Sequence, residues 1–413
     1  MANSLVVFLI TYLLISLQKV KWLHLDRPSG ALLGAVLMIL LKVVSLDEAY
    51  KLIDHNTLVL LLGMMILVGY LETALFFDWL SYHLVAHSHK PLSLLWGLIL
   101  TSAFLSCLFV NDTVCLVMTP LILKTLNRAR INPIPFLIAL CTSANIGSVM
   151  TLTGNPQNMI VGIHSGWLYH DYFFRMFPIG LISLLFNGLL IYLFYKRDLR
   201  ERGSKQIFQL DCPKLDRWLT IKSVVVLVLV LAGFVLTKNL PLTAIMGGTL
   251  IILIARKNPA IVFEKLDWPL LLFFAGLFVV IGGVAKAGLP QIFYENLKHF
   301  FNGSLINEVA TFSLFSALVS NVVSNVPFVL LATHWIPNFL NPKLMWLVLA
   351  MSSTFAGNLT IMGSVANMIV MELSKDEVVV GFFEFFKVGF LTTVLSIIVG
   401  ISFLSLYAFL GWV

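Results

Sequence analysis

Charge is the first thing this sequence lacks. Of its 413 residues only 27 are Lys or Arg and 20 are Asp or Glu, 11% in all, against roughly 25% in a soluble domain. With 59% apolar residues and a mean hydropathy of +0.95, too few polar groups remain to cover a water-soluble particle of this size. A soluble globular protein is excluded. Cysteine is scarce as well. Cys107, Cys115 and Cys141 lie in apolar stretches and Cys212 in a charged loop, spacing that gives neither a metal site nor a disulfide framework. The sequence has no phosphate-binding glycine loop, nucleophile–base pair or metal-ligand cluster, so no cofactor is expected and enzyme chemistry is disfavoured. The formal charge of +7 is scattered at segment ends without a basic stripe, which argues against nucleic acid as a partner.

What is present is long apolar runs. Ile131 to His170, Val309 to Pro342, Leu344 to Met371, Val388 to Val413 and Met176 to Tyr195 contain no Asp, Glu, Lys or Arg. A bilayer core takes about 20 apolar residues per helix, and barrel strands would alternate where these runs do not. The fold class is therefore an all-α polytopic membrane protein, multi-pass and expected in the cell (inner) membrane, with the lipid bilayer as its surroundings. Apolar segments fall at 3–18, 30–46, 56–75, 91–127, 134–164, 174–196, 218–237, 240–255, 268–286, 306–337, 344–373 and 380–412. The first has no basic leader region or small-residue cleavage site and reads as a retained helix.

Four of these segments are interrupted. Segments 91–127 and 306–337 carry polar knots, VNDT at 110–113 and SNVVSNVP at 320–327, and read as re-entrant hairpins. Segments 134–164 and 344–373 contain SANIGSVMTLTGNPQN at 143–158 and SSTFAGNLTIMGSVAN at 352–367, and read as broken helices. Irregular backbone at membrane depth is tolerated only where protein or a wet cavity satisfies it.

The halves repeat one another. At an offset of 209, Ser143, Thr151, Gly154 and Asn158 fall on Ser352, Thr360, Gly363 and Asn367; at 213–214, Gly63, Gly69, Ser106 and Asn111 fall on Gly276, Gly282, Ser320 and Asn325. If the hairpin does not cross, each half has about five crossings, an odd number. Residues 1–196 and 218–413 are then two inverted-topology repeats, joined by a basic linker at 197–217 that the positive-inside rule puts in the cytoplasm with Lys19, Lys21 and Arg27. Both termini are expected outside.

Two hairpin tips and two broken helices would meet near mid-bilayer, where half-helix N-termini suit an anion and freed carbonyls a cation. This is the layout of a carrier. The candidate binding residues are Asn111, Asp112 and Thr113 in the first tip and Ser320, Asn321, Ser324 and Asn325 in the second. Ser143, Asn145, Gly147, Thr151, Gly154, Asn155 and Asn158 in the first break and Asn358, Thr360, Gly363 and Asn367 in the second join them. A carboxylate at that depth is costly unless paired, coordinated or protonated, so Asp112 is assigned to proton coupling, with capping of its own hairpin arm as the plainer role. Its repeat partner is Val326, which makes any titration one-sided. His83, His87 and His89 read as a solvated loop, and Lys286, Glu372, Glu72 and Asp78 as residues at helix ends. His334 and the three apolar-segment cysteines are weaker candidates for proton handling and for meeting a thiophilic metalloid.

The stretch SANIGSVMTLTGNPQNMIVG at 143–162, with VNDTVCLVMTPLI at 110–122, resembles the arsenite and silicon permease branch of the ion transporter superfamily, which also holds sodium/proton antiporters and divalent-anion/sodium symporters. In the symporter branch both tips carry Ser-Asn-Thr, which hold sodium and a substrate carboxylate; here those positions read Val110-Asn111-Asp112 and Ser324-Asn325-Val326. The resemblance implies a secondary carrier of a small inorganic oxyanion or metalloid acid such as arsenite or silicate, with proton or sodium as the coupling ion. A carboxylate substrate and sodium near Asn111 and Asn325 form the alternative. It further implies a homodimer, with a scaffold part that dimerises and a transport part that moves. The energy source is an ion gradient or a separate ATPase subunit.

Overall fold

Polar residues at the edges of the apolar runs decide where helices start. The side chains of Asp26, Asp54, Asp216, Asn239 and Asp267 each accept a hydrogen bond from a backbone N–H of the first turn that follows. Asp26 and Asn239 are repeat partners, and so are Asp54 and Asp267, all at an offset of 213. The same capping chemistry thus opens equivalent helices in both halves.

The computed structural model describes residues 1–17, 26–88, 90–200, 213–301 and 303–413, which are mostly helical and contain no strand. The first half holds α1 (Ala2–Leu17), α2 (Arg27–Leu40), α3 (Leu46–Leu52), α4 (His55–Thr73), α5 (Phe76–Ala86), α6 (Pro91–Leu108), α7 (Asn111–Ala129), α8 (Ile134–Ser148), α9 (Pro156–His164) and α10 (Tyr169–Phe194). After α11 (Lys196–Arg200) comes the second half. It holds α12 (Arg217–Leu236), α13 (Leu240–Ala255), α14 (Pro259–Phe263), α15 (Trp268–Lys286), α16 (Leu289–Phe301), α17 (Leu305–Val323), α18 (Asn325–Ala332), α19 (Pro342–Ala356), α20 (Val365–Ser374) and α21 (Phe382–Phe409). Seven of these, α4, α6, α10, α12, α15, α17 and α21, are long and apolar enough to cross a membrane.

The interruptions read from the sequence are where the helices break. The first hairpin is α6 and α7, the second α17 and α18, and the broken helices are α8/α9 and α19/α20. Contacts come in pairs that survive exchange of the halves: α2 on α15 with α4 on α13, α7 on α20 with α9 on α18, and α6 on α8 with α17 on α19, while α10 packs on its counterpart α21. Small residues set the closest crossings. A Cβ on Gly63 would lie 2.4 Å from the Ala244 carbonyl carbon, and one on Gly276 would lie 2.7 Å from that of Ala31. Ala31 and Ala244 are themselves repeat partners. Backbone cannot give way as a side chain can. Gly63→Val should therefore cost more than the about 1–3 kcal/mol of ordinary overpacking; a variant that is recovered from detergent with unchanged melting temperature would refute the close crossing.

Some expectations need correction. The helix expected at 30–46 spans Arg27–Leu40, because Asp26 caps it and Pro28 suits its first turn. The segment expected from 174 starts at Tyr169, taking in Asp171 and Arg175, which pair at 3.6 Å one turn apart. His83 lies on α5 and His87 caps its end rather than sitting in a loop; their Nδ1 atoms contact the carbonyls of Trp79 and His83. His89, Lys19, Lys21, Cys212 and residues 201–212 of the linker lie outside the described residues.

Candidate functional site

Six helices begin around one cavity of about 160 Å³. It is lined by Asn111 and Asp112 at the start of α7, Asn325 and Val326 at the start of α18, Pro156 and Gln157 at the start of α9, and Ser364 and Val365 at the start of α20. Arg27 and Pro28 enter from α2, and Asp267, Pro269 and Leu270 from the start of α15, with Phe273 and Phe274 as an apolar wall. The lining reaches the surface at Asp267, which is exposed. Unpaired N–H groups at the starts of helices favour negative charge or oxygen acceptors.

Beneath the cavity, buried amides lock tips and breaks together. Asn145 is the hub. Its Oδ1 accepts from Asn111 Nδ2 at 2.8 Å and from Ser364 Oγ at 3.0 Å, while its Nδ2 donates to Asn358 Oδ1 at 2.8 Å and Asn367 Oδ1 at 3.0 Å. One side chain of the first half thereby holds the first tip and three groups of the second break. Asn367 Nδ2 donates onward to the carbonyls of Gly357 and Thr360, and its repeat partner Asn158 donates to those of Ser148 and Thr151. Each closes its own break in the same way. Asn155 caps α9 through the Asn158 N–H and reaches Thr354 across the halves at 3.2 Å.

The two tips are not alike. Val110, before the first, has ordinary extended backbone, but its counterpart Ser324 has φ 81° and ψ 147°, a region that costs a residue with a Cβ about 1–3 kcal/mol. At the first tip the Asn111 N–H donates to the Gly154 carbonyl at 3.0 Å, so hairpin and break share a backbone bond. Asp112 does not cap its own arm. Its carboxylate instead faces the Ala366 N–H in the first turn of α20, a helix of the other half.

Of the residues singled out from the sequence, Asn111, Asp112, Ser324, Asn325 and Gly363 line the cavity. Thr113 lies in an adjoining cavity of about 70 Å³ with Asp112, Glu72 and Lys265. Asn145, Asn155, Asn158, Asn358 and Asn367 form the buried network. Asn321 donates to the Ala356 carbonyl at 2.6 Å and accepts from Thr360 Oγ1 at 3.0 Å, and Thr151 Oγ1 donates to the Cys107 carbonyl at 2.7 Å. Ser143 accepts from Asn187 of α10, away from the cavity. Gly147 and Gly154 are packing positions, with added Cβ atoms 2.3 Å from the Ala103 and Ser148 carbonyl oxygens respectively. Ser320 is fully buried and its hydroxyl has no hydrogen-bond partner among the described residues, as is true of its repeat partner Ser106. Asn111 Oδ1 and Asn325 Oδ1 are unpartnered too.

The weaker candidates lie elsewhere. Lys286 pairs with Glu48 at 2.6 Å, which holds that exposed carboxyl down at about 2; Glu72 pairs with Lys265 and Glu372 with Lys375. His334 stays with Thr333 and the Leu330 carbonyl, and Cys107, Cys115 and Cys141 are buried without lining the cavity. Among the described residues no group of three His, Cys, Asp or Glu is placed to hold a metal ion. Arg27, which the positive-inside rule groups with the cytoplasmic basic residues, lines the cavity, and so does Asp267, which no sequence pattern marks. The available signal was a cation at the first position of a helix, where the helix dipole disfavours it.

Known proteins share this organisation. The profile of the family described as Citrate transporter matches residues 12–350. A 46 kDa membrane protein of Mycobacterium leprae is 30% identical, with 95% of this chain and 96% of that one covered. A silicon efflux transporter of Oryza sativa subsp. japonica is 30% identical over 90% of each chain, and a transporter of Dictyostelium discoideum named arsB is 26% identical over 97% of this chain and 92% of that one. The crystal structure of the YdaH transporter of Alcanivorax borkumensis superposes with a TM-score of 0.60 over 99% of this chain and 97% of that one, at 14% identity, a likeness of fold.

Proposed function

The chain belongs to the citrate transporter family, as a multi-pass integral membrane transporter and not an enzyme, and from that premise we propose that it is an ion-coupled secondary carrier. In this reading the two halves are inverted repeats that expose the central cavity to each side of the membrane in turn. The substrate is a small inorganic oxyanion or metalloid acid such as arsenite or silicate, exchanged for protons that bind at Asp112. The observation that carries the reading is the cavity itself, bounded by both hairpin tips and both helix breaks and ringed by helix N-termini. At about 30 Å³ per water, 160 Å³ has room for a small acid. The rice relative's silicon efflux activity supports the substrate class.

A second reading has its own support. The unpartnered Asn111 Oδ1 and Asn325 Oδ1 are repeat partners, one at each tip, and two such acceptors suit sodium in a symporter of carboxylates. Flux in proteoliposomes separates the two. Under the first reading arsenite or silicate moves on a pH gradient without sodium. Transport that requires sodium and survives collapse of the pH gradient would establish the second instead.

A further inference from the structure

Among the described residues Arg27 is the one basic side chain lining the cavity, and its hydrogen bonding is far from complete. A guanidinium has five N–H donors, and leaving buried donors unpaired is costly. Arg27 Nη2 points at the Met368 sulfur at 3.7 Å, a weak acceptor, and its buried Nε has no partner among the described residues. The charged groups facing it are Asp112 at the start of α7 and Asp267 before α15, and α18 and α20 present no charge in the lining. Asp267 already accepts the Leu270 N–H, and Asp112 faces the Ala366 N–H. Lys265 and Glu72, in the adjoining cavity, pair with each other at 3.0 Å. The cavity therefore offers a cation with free donors and a carboxylate with accepting capacity left.

We propose that Arg27 and Asp112 form a donor–acceptor pair that holds a weak oxyacid, one substrate oxygen accepting from the guanidinium while a substrate hydroxyl donates to the carboxylate. This rests on the exchange reading above and supplies its coupling. A proton on Asp112 removes its charge and turns one of its oxygens into a donor, which weakens its hold on the substrate hydroxyl, so proton and substrate compete for the site, as exchange requires. A fully ionised carboxylate substrate has no hydroxyl proton to offer at each oxygen and meets Asp112 as a like charge, so it would bind better once Asp112 is protonated. The sign of the pH dependence thus separates the substrate classes. The repeat partner of Arg27 is Leu240 and that of Asp112 is Val326, although neighbouring Pro28 and Asn111 match Pro241 and Asn325. The pair exists in one half only.

The test is binding of arsenite, silicate and citrate to purified full-length protein across a pH series, for wild type, Arg27→Gln, Arg27→Lys and Asp112→Asn. Arsenite or silicate should bind more weakly as the pH falls, with Asp112→Asn flattening that profile. Arg27→Gln should weaken binding about 10- to 100-fold. Arg27→Lys keeps the charge without the planar fork and should fall in between, a graded result that a misfolded variant would not give. Unchanged affinity in Arg27→Gln would overturn the pair while leaving proton exchange standing, whereas wild-type arsenite and silicate binding that strengthens as the pH falls would overturn the pair and the exchange reading together. Wild-type protein that binds citrate alone would overturn the exchange reading itself.

Discussion

Asp112→Asn is expected to lower proton-driven transport about a hundredfold while leaving substrate self-exchange across the membrane intact. Asn has nearly the same shape, and its Oδ1 can still accept a substrate hydroxyl, with the weaker hold of a neutral acceptor, so the binding site is not removed. What disappears is the proton. An amide cannot alternate between charged and neutral forms, and the difference between those forms at a half-buried position is worth several kcal/mol, with about 1.4 kcal/mol for each factor of ten. Tracer flux in proteoliposomes under an imposed pH gradient, beside counterflow with no gradient, reads the two activities separately. Full gradient-driven flux in the variant would end the role assigned to Asp112.

Asn145→Ala should have the largest effect on stability. The side chain is buried to 1% exposure and joins Asn111, Ser364, Asn358 and Asn367 through four hydrogen bonds. Its removal leaves four buried polar groups short of a partner, each worth about 1–3 kcal/mol, with relaxation and a trapped water recovering part of the sum. A net loss of about 4 kcal/mol is the expected result. Melting in detergent, followed by tryptophan fluorescence, should fall well below that of wild type, and a thermal transition within a degree of wild type would show that the network carries no such weight. Asn145→Asp is the sharper comparison. It preserves the two acceptor interactions but cannot donate to Asn358 and Asn367.

These two residues also show how much of the molecule could be read in advance. Hairpins and broken helices were legible because a polar group inside an apolar run is expensive and must be there for a reason. The knots at 110–113 and 320–327 and the GNPQN stretch are where the helices stop and restart. The repeat was legible because matched residues sit at those same breaks. The division of labour among the polar residues was not. Asn145, Asn158 and Asn367 look like ligands in the sequence, but their hydrogen bonds go to other buried side chains and to backbone carbonyls, and which buried amide faces a cavity depends on the crossing of helices far apart in the chain. Arg27 and Asp267 were hidden for the opposite reason. A charge at the end of an apolar run usually marks the membrane surface. Here two helices begin at the central cavity, and their end residues are carried in with them.

If the protein works by the alternating access proposed above, the strained backbone at Ser324 bears on how long it dwells on each side. Under the proposed exchange of roles between halves, the opposite orientation asks Val110 to adopt the conformation that Ser324 holds here, and a β-branched residue tolerates a positive φ far less readily than serine. The two orientations then cannot be equal in energy when empty. With about 1.4 kcal/mol for each tenfold change in population, a residue-sized difference in strain is enough to park the unloaded protein facing one way and leave the return stroke as the slow step of the cycle.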